Sequence, residues 1–443
     1  MINFVFLFIT CFLIYHDAKK LQEYNEDIYL KKIGFSPAGF SVASVLLFII
    51  FAPLYLFKRS KYFNAINVDE ETKKKIEEDA TFKATANLTQ ILILYLISTA
   101  FLSVFFLSMS YTFPLLQDTL FQGVILGILA NAVFIFLIFY FLKIKDNVDV
   151  LRYLHLNKTR NIALVSIVIP VAGGLLFAIV SFIITSSYFS SFSSTSSMSN
   201  ALFQGSATAR VIFILFAVLI APLLEEIIFR GYFFTTISRI KGKDFAIFFV
   251  ALLFAFMHVD QNWGDFIVVL LVFMVGLYLT LLRFFTKSVV PSIVSHYVYN
   301  IALLILPTIY LSLYNPPYLQ FMKNQDSIRF EEKEELLLKS IQDQPKFADA
   351  YNTLAWTYAE NGKRLEQGLF IIDKAIELKP DNLQYKDTKA EILYKMKRYD
   401  EAIEIEESLV EKAPGFQFFK DQLEKFRKAK EEENNQDDPY SLQ

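Results

Sequence analysis

Residues Val211–Phe234 read VIFILFAVLIAPLLEEIIFRGYFF. The run is apolar and long enough to cross a bilayer, whose ~30 Å hydrocarbon core takes about 20 residues at 1.5 Å of rise each. Yet it carries Glu225, Glu226 and Arg230 near its centre. An ionisable group at that depth costs roughly 2.5–3.5 kcal/mol on insertion scales. A span that keeps three of them must bury a polar face among other helices, so the stretch predicts an all-α, multi-spanning bundle.

The rest of the chain supplies those helices. Apolar residues make up 54% of the sequence, with 47 phenylalanines, and mean hydropathy is +0.38. The charged residues, 20% of the total, crowd into short loops and into the region after Lys323. A net charge of −2 gives no basis for a nucleic-acid partner. The single cysteine, Cys11, excludes an intramolecular disulfide and a cysteine-based metal site. Before the quoted stretch, apolar segments run at Met1–Tyr15, Pro37–Phe57, Leu88–Met109, Leu120–Leu142 and Ile162–Tyr188. After it come Phe245–Val259, Phe266–Leu282 and Val289–Tyr314, which makes nine expected spans. Met1–Tyr15 has no basic residue ahead of it and no small-residue cleavage site behind it, and so reads as an uncleaved signal anchor.

Basic residues alternate between loops. Lys58–Lys83, Lys143–Arg160, Arg239–Lys243 and Arg283–Lys287 are rich in Lys and Arg, whereas Tyr111–Gln117 and Asp260–Asp265 have none. The positive-inside rule places the former in the cytoplasm. The first loop, with Lys19, Lys20, Lys31 and Lys32, breaks the alternation. Span counting then puts the tail outside, unless the last segment doubles back near Pro307. The expected location is a bacterial cytoplasmic membrane.

After Asn315-Pro316-Pro317 the texture changes, and 315–330 reads as a linker. Pro345, Pro380 and Pro414 are spaced by 35 and 34 residues, the period of tetratricopeptide repeats. Tyr351, Leu354, Ala355, Tyr358, Gly368, Ile372, Ala375 and Pro380 resemble one repeat, with one extra residue expected in its turn. Leu383, Ala390, Leu393, Ala402, Leu409 and Pro414 resemble the next without a gap. Glu331–Gln344 reads as the second helix of a degenerate leading repeat and Phe416–Lys428 as a capping helix. The resulting domains are 1–160 (N-terminal spans), 161–314 (core), 331–430 (a soluble α-solenoid that binds a protein partner) and 431–443 (disordered tail). The plainer reading of 331–430 is an amphipathic bundle without repeat identity.

Within the apolar segments the strongly ionisable groups are few: Glu225, Glu226, Arg230, His258 and His296. His16 and His155 fall in loops and read as solvated. Glu226 and Arg230 are i,i+4 and share a face; Glu225 lies about 100° away, free to meet a different neighbour. His258 follows Phe254 by four residues, and Asn300 follows His296 by four. Three helices thus each bring a polar face to membrane depth, and burial requires that these converge on a common, water-containing cavity. A carboxylate, two imidazoles and an amide suit peptide hydrolysis: a buried carboxylate acts as base on water, a histidine holds that water, and a His/Asn pair donates to the oxyanion. The same set can hold zinc through Glu225, His258 and His296, although the HExxH spacing is absent. An inactive scaffold presenting the repeats, or a proton-coupled transporter, are the alternatives from other functional classes.

In order, Glu225–Gly231 matches EExxFRG, Phe254–His258 matches FxxxH and His296–Asn300 matches HxxxN. On these motifs the chain resembles the CPBP family of intramembrane proteases, which includes CAAX prenyl endopeptidases and Abi-type bacteriocin-processing enzymes. The resemblance covers roughly Val211–Leu306. It implies that Glu225 activates water with His258, that His296 and Asn300 stabilise the oxyanion, and that Glu226 and Arg230 orient the site, with Phe254 as a wall. The family has been described as metalloproteases, but the arrangement also supports a metal-free glutamate mechanism, which is the reading favoured, with a divalent metal such as zinc as the alternative; the expected substrate is a membrane-associated protein or peptide.

Overall fold

A bilayer leaves backbone polar groups no partner but each other, which helices satisfy within a single apolar segment. The computed structural model describes residues 9–15, 17–19, 54–55, 80–110, 119–156, 164–188, 207–259, 266–413 and 417–436, and among these there is no strand. The expected spans Met1–Tyr15 and Pro37–Phe57 lie largely outside the described residues. The chain divides into two compact units, residues 1–177 with 201–300, and residues 178–200 with 301–443.

Six described helices are long and apolar enough to cross a membrane. Helix α1 (Ala80–Ser110) leads; the spans α2 (Phe121–Lys145), α3 (Ser166–Thr185) and α4 (Thr208–Lys241) follow. After helix α5 (Lys243–Met257) come α6 (Phe266–Thr286) and α7 (Val290–Tyr314). The expected span at Phe245–Val259 corresponds to α5. Helix α5 has 15 residues, about 22 Å at 1.5 Å per residue, which is short of the hydrocarbon core. It ends where His258 leaves helical geometry as the C-cap. Helix α7 runs through Pro307 without a break, so the reversal considered there does not occur.

Helix α4 forms the inner wall of the first unit. Its Ile228, Phe229, Tyr232, Phe233 and Ile237 are buried together with Leu88 and Ile91 of α1, Phe134 and Ile138 of α2, and Val250 and Phe254 of α5. The opposite character appears on outer faces, where Phe101, Phe136, Leu219, Phe248 and Leu270 are exposed, as lipid contact requires. Helix α3 packs closely against α7 through Gly174, where a Cβ would stand 2.6 Å from the Ser295 carbonyl oxygen. Only a residue without a side chain permits that approach.

Helix α4 is not uniform. Phe216–Ile220 and Ile227–Phe233 are π-helical, with i→i+5 hydrogen bonds such as Ala221 N–H to Phe216 O and Phe234 N–H to Phe229 O. Pro222 accounts for the first. It has no N–H to donate, and the wider turn carries the backbone past it.

In the second unit, α8 (Pro316–Asn324), α9 (Phe330–Asp343), α10 (Ala348–Asn361), α11 (Leu365–Leu378), α12 (Leu383–Lys395), α13 (Tyr399–Lys412) and α14 (Gln417–Gln436) follow in order. Helices α9, α11 and α13 start 35 and 34 residues apart, the expected period. The extra residue of the first repeat is not in its turn, however. Both turns have three residues, and α10 is one residue longer than α12. The linker is also corrected. Asn315 caps α8 by accepting the Tyr318 N–H at 3.2 Å, and the two prolines occupy the first positions of the helix. Phe321 of this helix is buried with Leu337, Leu354 and Tyr358. At the other end α14 continues to Gln436, past the tail boundary expected at 431, and Glu433 pairs with Lys397 at 3.0 Å.

Candidate active site

The site grows from the α4 sequence Glu225-Glu226-Ile227-Ile228-Phe229-Arg230. Glu226 and Arg230 are both fully buried, and Arg230 Nη1 donates to Glu226 Oε1 at 2.8 Å. Two buried charges need every available partner. Arg230 Nη2 finds one on α6, the Gly276 carbonyl at 2.9 Å, and its guanidinium lies 4.4 Å from the Phe254 ring centroid on α5. Gly276 makes the approach possible, since a Cβ there would stand 3.0 Å from Phe254 and 3.3 Å from the Ala251 oxygen. Phe254 is therefore more than a wall, because it carries the cation-π contact that holds Arg230.

His296 on α7 joins the two glutamates. Its Nδ1 lies 3.0 Å from Glu226 Oε1, and its Nε2 lies 3.9 Å from Glu225 Oε2. A carboxylate only accepts, so Nδ1 carries a proton and Nε2 faces Glu225. The two glutamates share His296 as a neighbour. They diverge around α4, but an imidazole with nitrogens on two edges reaches both. They still differ in environment: the Glu226 side chain is fully buried, whereas that of Glu225 is 24% exposed.

His258 stands at the end of α5 with Nδ1 2.8 Å from the Phe254 carbonyl oxygen. The carbonyl accepts, which places the proton on Nδ1 and the lone pair on Nε2. Both histidines flank Phe254, with ring centroids 4.7 Å (His258) and 5.9 Å (His296) from it. The three motifs thus meet around one phenyl ring.

Asn300 has a partner that spacing did not anticipate. Its Nδ2 donates to the Ala217 carbonyl on α4 at 2.9 Å. Ala221 gives its N–H to Phe216, and residue 222 is proline, so the Ala217 carbonyl has neither an α nor a π donor. Asn300 fills that vacancy. Nearby, Tyr297 Oη donates to the Leu219 carbonyl at 2.6 Å. Tyr297, Pro222 and Gly276 were not singled out from the sequence. The available signal was Pro222 inside an apolar span, which frees carbonyls for side chains of neighbouring helices.

The zinc set expected as an alternative, Glu225, His258 and His296, is not gathered for a metal: among the described residues no three His, Cys, Asp or Glu side chains stand close enough together to hold one.

Residues 207–302 match the family model described as type II CAAX prenyl endopeptidase Rce1-like, and residues 336–369 match a tetratricopeptide repeat model. The first match contains all three motifs from Glu225 to Asn300, and the second lies within α9–α11. No curated protein and no solved structure matches the chain.

Proposed function

We propose that the protein is an intramembrane endopeptidase that hydrolyses a peptide bond of a membrane-associated protein or peptide with a glutamate-activated water, and that its repeats recruit the substrate or a partner. The observation that carries this reading is the imidazole of His296 set between two carboxylates, one neutralised by Arg230 and the other partly open.

Glu225 takes a proton from water, and the hydroxide attacks the carbonyl carbon of the scissile bond. His296 keeps Nδ1–H on Glu226 and, when Nε2 also carries a proton, donates it to the oxyanion that develops. His258 accepts from the attacking water through Nε2. When the tetrahedral intermediate collapses, the C–N bond breaks and the proton held by Glu225 passes to the leaving amine. Glu226 and Arg230 orient His296 and contribute no proton. One N–H of Asn300 is engaged by Ala217; the second remains for the oxyanion.

The family match over 207–302 supports protease chemistry, and the repeat match supports a protein-binding role for residues 331–430. The test compares the membrane proteome of bacterial cells carrying wild-type or Glu225→Gln protein. Membrane precursors accumulate in the variant if the reading holds. Cleavage in the purified variant should fall by about 10²–10⁴, the contribution of a positioned general base. Unchanged cleavage by Glu225→Gln would sink the proposal in favour of a scaffold.

A further inference from the structure

Where α4 and α6 end, the first unit contains a cavity of about 520 Å³ whose lining includes Arg239, Lys243, Arg283 and Lys287 but, among the described residues, no Asp or Glu. His155 also lines it; expected as a solvated loop residue, it is half-buried. Its imidazole is held below its usual range by burial and then by the charge of Arg283, so at neutral pH the ring adds no charge.

Arg283 is the unusual member. It is only 4% exposed, its closest side-chain acceptor is Thr235 Oγ1 at 3.5 Å, and its Nε has no hydrogen-bond partner. The hydroxyl of Ser238, which lines the same cavity, is likewise buried and without a partner. A plain account of the cations exists, since Arg239 and Arg283 lie in the last turns of their helices, where the dipole favours positive charge. That account leaves a buried guanidinium without an anion and two unused donors on one cavity. Buried polar groups without partners call for a ligand or ion.

We propose that this cavity binds a phosphate group, with Arg283 and Ser238 donating to its oxygens and Arg239, Lys243 and Lys287 providing the surrounding positive charge. A planar guanidinium with free N–H groups suits a phosphate oxygen pair. The loops that carry Arg239–Lys243 and Arg283–Lys287 are on the cytoplasmic side by the positive-inside rule, facing the leaflet rich in anionic phospholipid. The catalytic proposal is not involved: Thr235 is nine residues beyond Glu226 on α4, about 14 Å of helix.

The test uses the purified full-length protein in zwitterionic detergent, with retained ligand read by native mass spectrometry and stability by thermal unfolding. Phosphatidylglycerol, phosphatidylcholine and inorganic phosphate are added in separate arms. Phosphatidylglycerol should be retained and raise the unfolding temperature, and phosphatidylcholine, whose phosphate is accompanied by a choline cation that the basic lining repels, should do neither. Protection by inorganic phosphate at matched concentration identifies free phosphate as a sufficient ligand; protection by the lipid alone identifies the headgroup in its membrane. Arg283→Gln should weaken binding about tenfold or more. Lys243→Gln and Lys287→Gln, at exposed positions that do not threaten folding, should each weaken it about fivefold. Equal retention of the two lipids with no effect of phosphate, or wild-type affinity in Lys243→Gln and Lys287→Gln together with a folded Arg283→Gln, overturns the proposal.

Discussion

The side-chain amide of Asn300 bonds the Ala217 carbonyl at 2.9 Å, the one acceptor that Pro222 and the wide turn beside it leave without a backbone donor. Proline and asparagine therefore form a functional pair across two helices. Asn300→Leu should destabilise the first unit by ~1–3 kcal/mol, the cost of an orphaned buried acceptor. In Pro222→Ala the backbone can return to α geometry and supply the missing donor, so the combined variant should lose less than the sum. A double-mutant cycle by thermal unfolding measures the coupling.

The two glutamates should separate in their effects. Arg230→Met leaves Glu226 fully buried with His296 in place of its arginine partner and should cost roughly 3–5 kcal/mol, with Glu226→Leu in the same chain restoring much of it. Glu225 is partly exposed and its closest ion-pair contact is 3.9 Å, so Glu225→Gln should unfold at nearly the wild-type temperature while losing cleavage. Thermal unfolding alongside a cleavage assay distinguishes the two.

Gly276 should not tolerate a side chain. An added methyl meets Phe254 at 3.0 Å and the Ala251 oxygen at 3.3 Å, which pushes α6 from α5 and withdraws the carbonyl that Arg230 uses. Gly276→Ala should destabilise by ~1–3 kcal/mol. Gly123, whose Cβ would meet nothing within 4 Å, is the control, and there Ala should be neutral or stabilising by up to ~1 kcal/mol.

The repeat unit should be more stable in mild acid than in base. Glu406 is fully buried, and Asp387 is buried beside it. Burial, and then the neighbouring Asp387 charge, raise the Glu406 carboxyl above the usual range; burial likewise raises that of Asp387. The unfolded chain ionises at the ordinary value, so above it the folded state holds more protons, and stability declines as pH rises until the folded groups ionise too. Hydrogen exchange of α12–α14 in the full chain should show stronger protection at about pH 5 than at about pH 8, after correction for intrinsic rates. Glu406→Gln should flatten the difference.

How much of this was legible beforehand depended on whether a feature resides in side-chain spacing. The Glu226–Arg230 pair follows from an i,i+4 interval, and the repeats from proline and small-residue periods. The wide turns of α4 do not, because they concern which carbonyl each N–H chooses, and apolar side chains on either side read the same. Asn315-Pro316-Pro317 reads as a break when proline is counted as a terminator, whereas a capping asparagine followed by proline starts a helix. The basic cavity draws on His155, Thr235 and Arg283, whose meeting no local pattern encodes.

Each π segment accommodates a residue beyond what an α-helix of the same length would hold. One such residue turns everything downstream by about 100° relative to everything upstream. Helix α4 therefore behaves as a rotary joint frozen at one setting, with Glu225 and Glu226 in the short α-helical stretch Ala221–Glu226 between two dials. A single-residue deletion within 216–220 would leave every motif letter in place while aiming the carboxylates at lipid. Motif content and site geometry are thus separable in this helix, and its length is as much a part of the site as its charges.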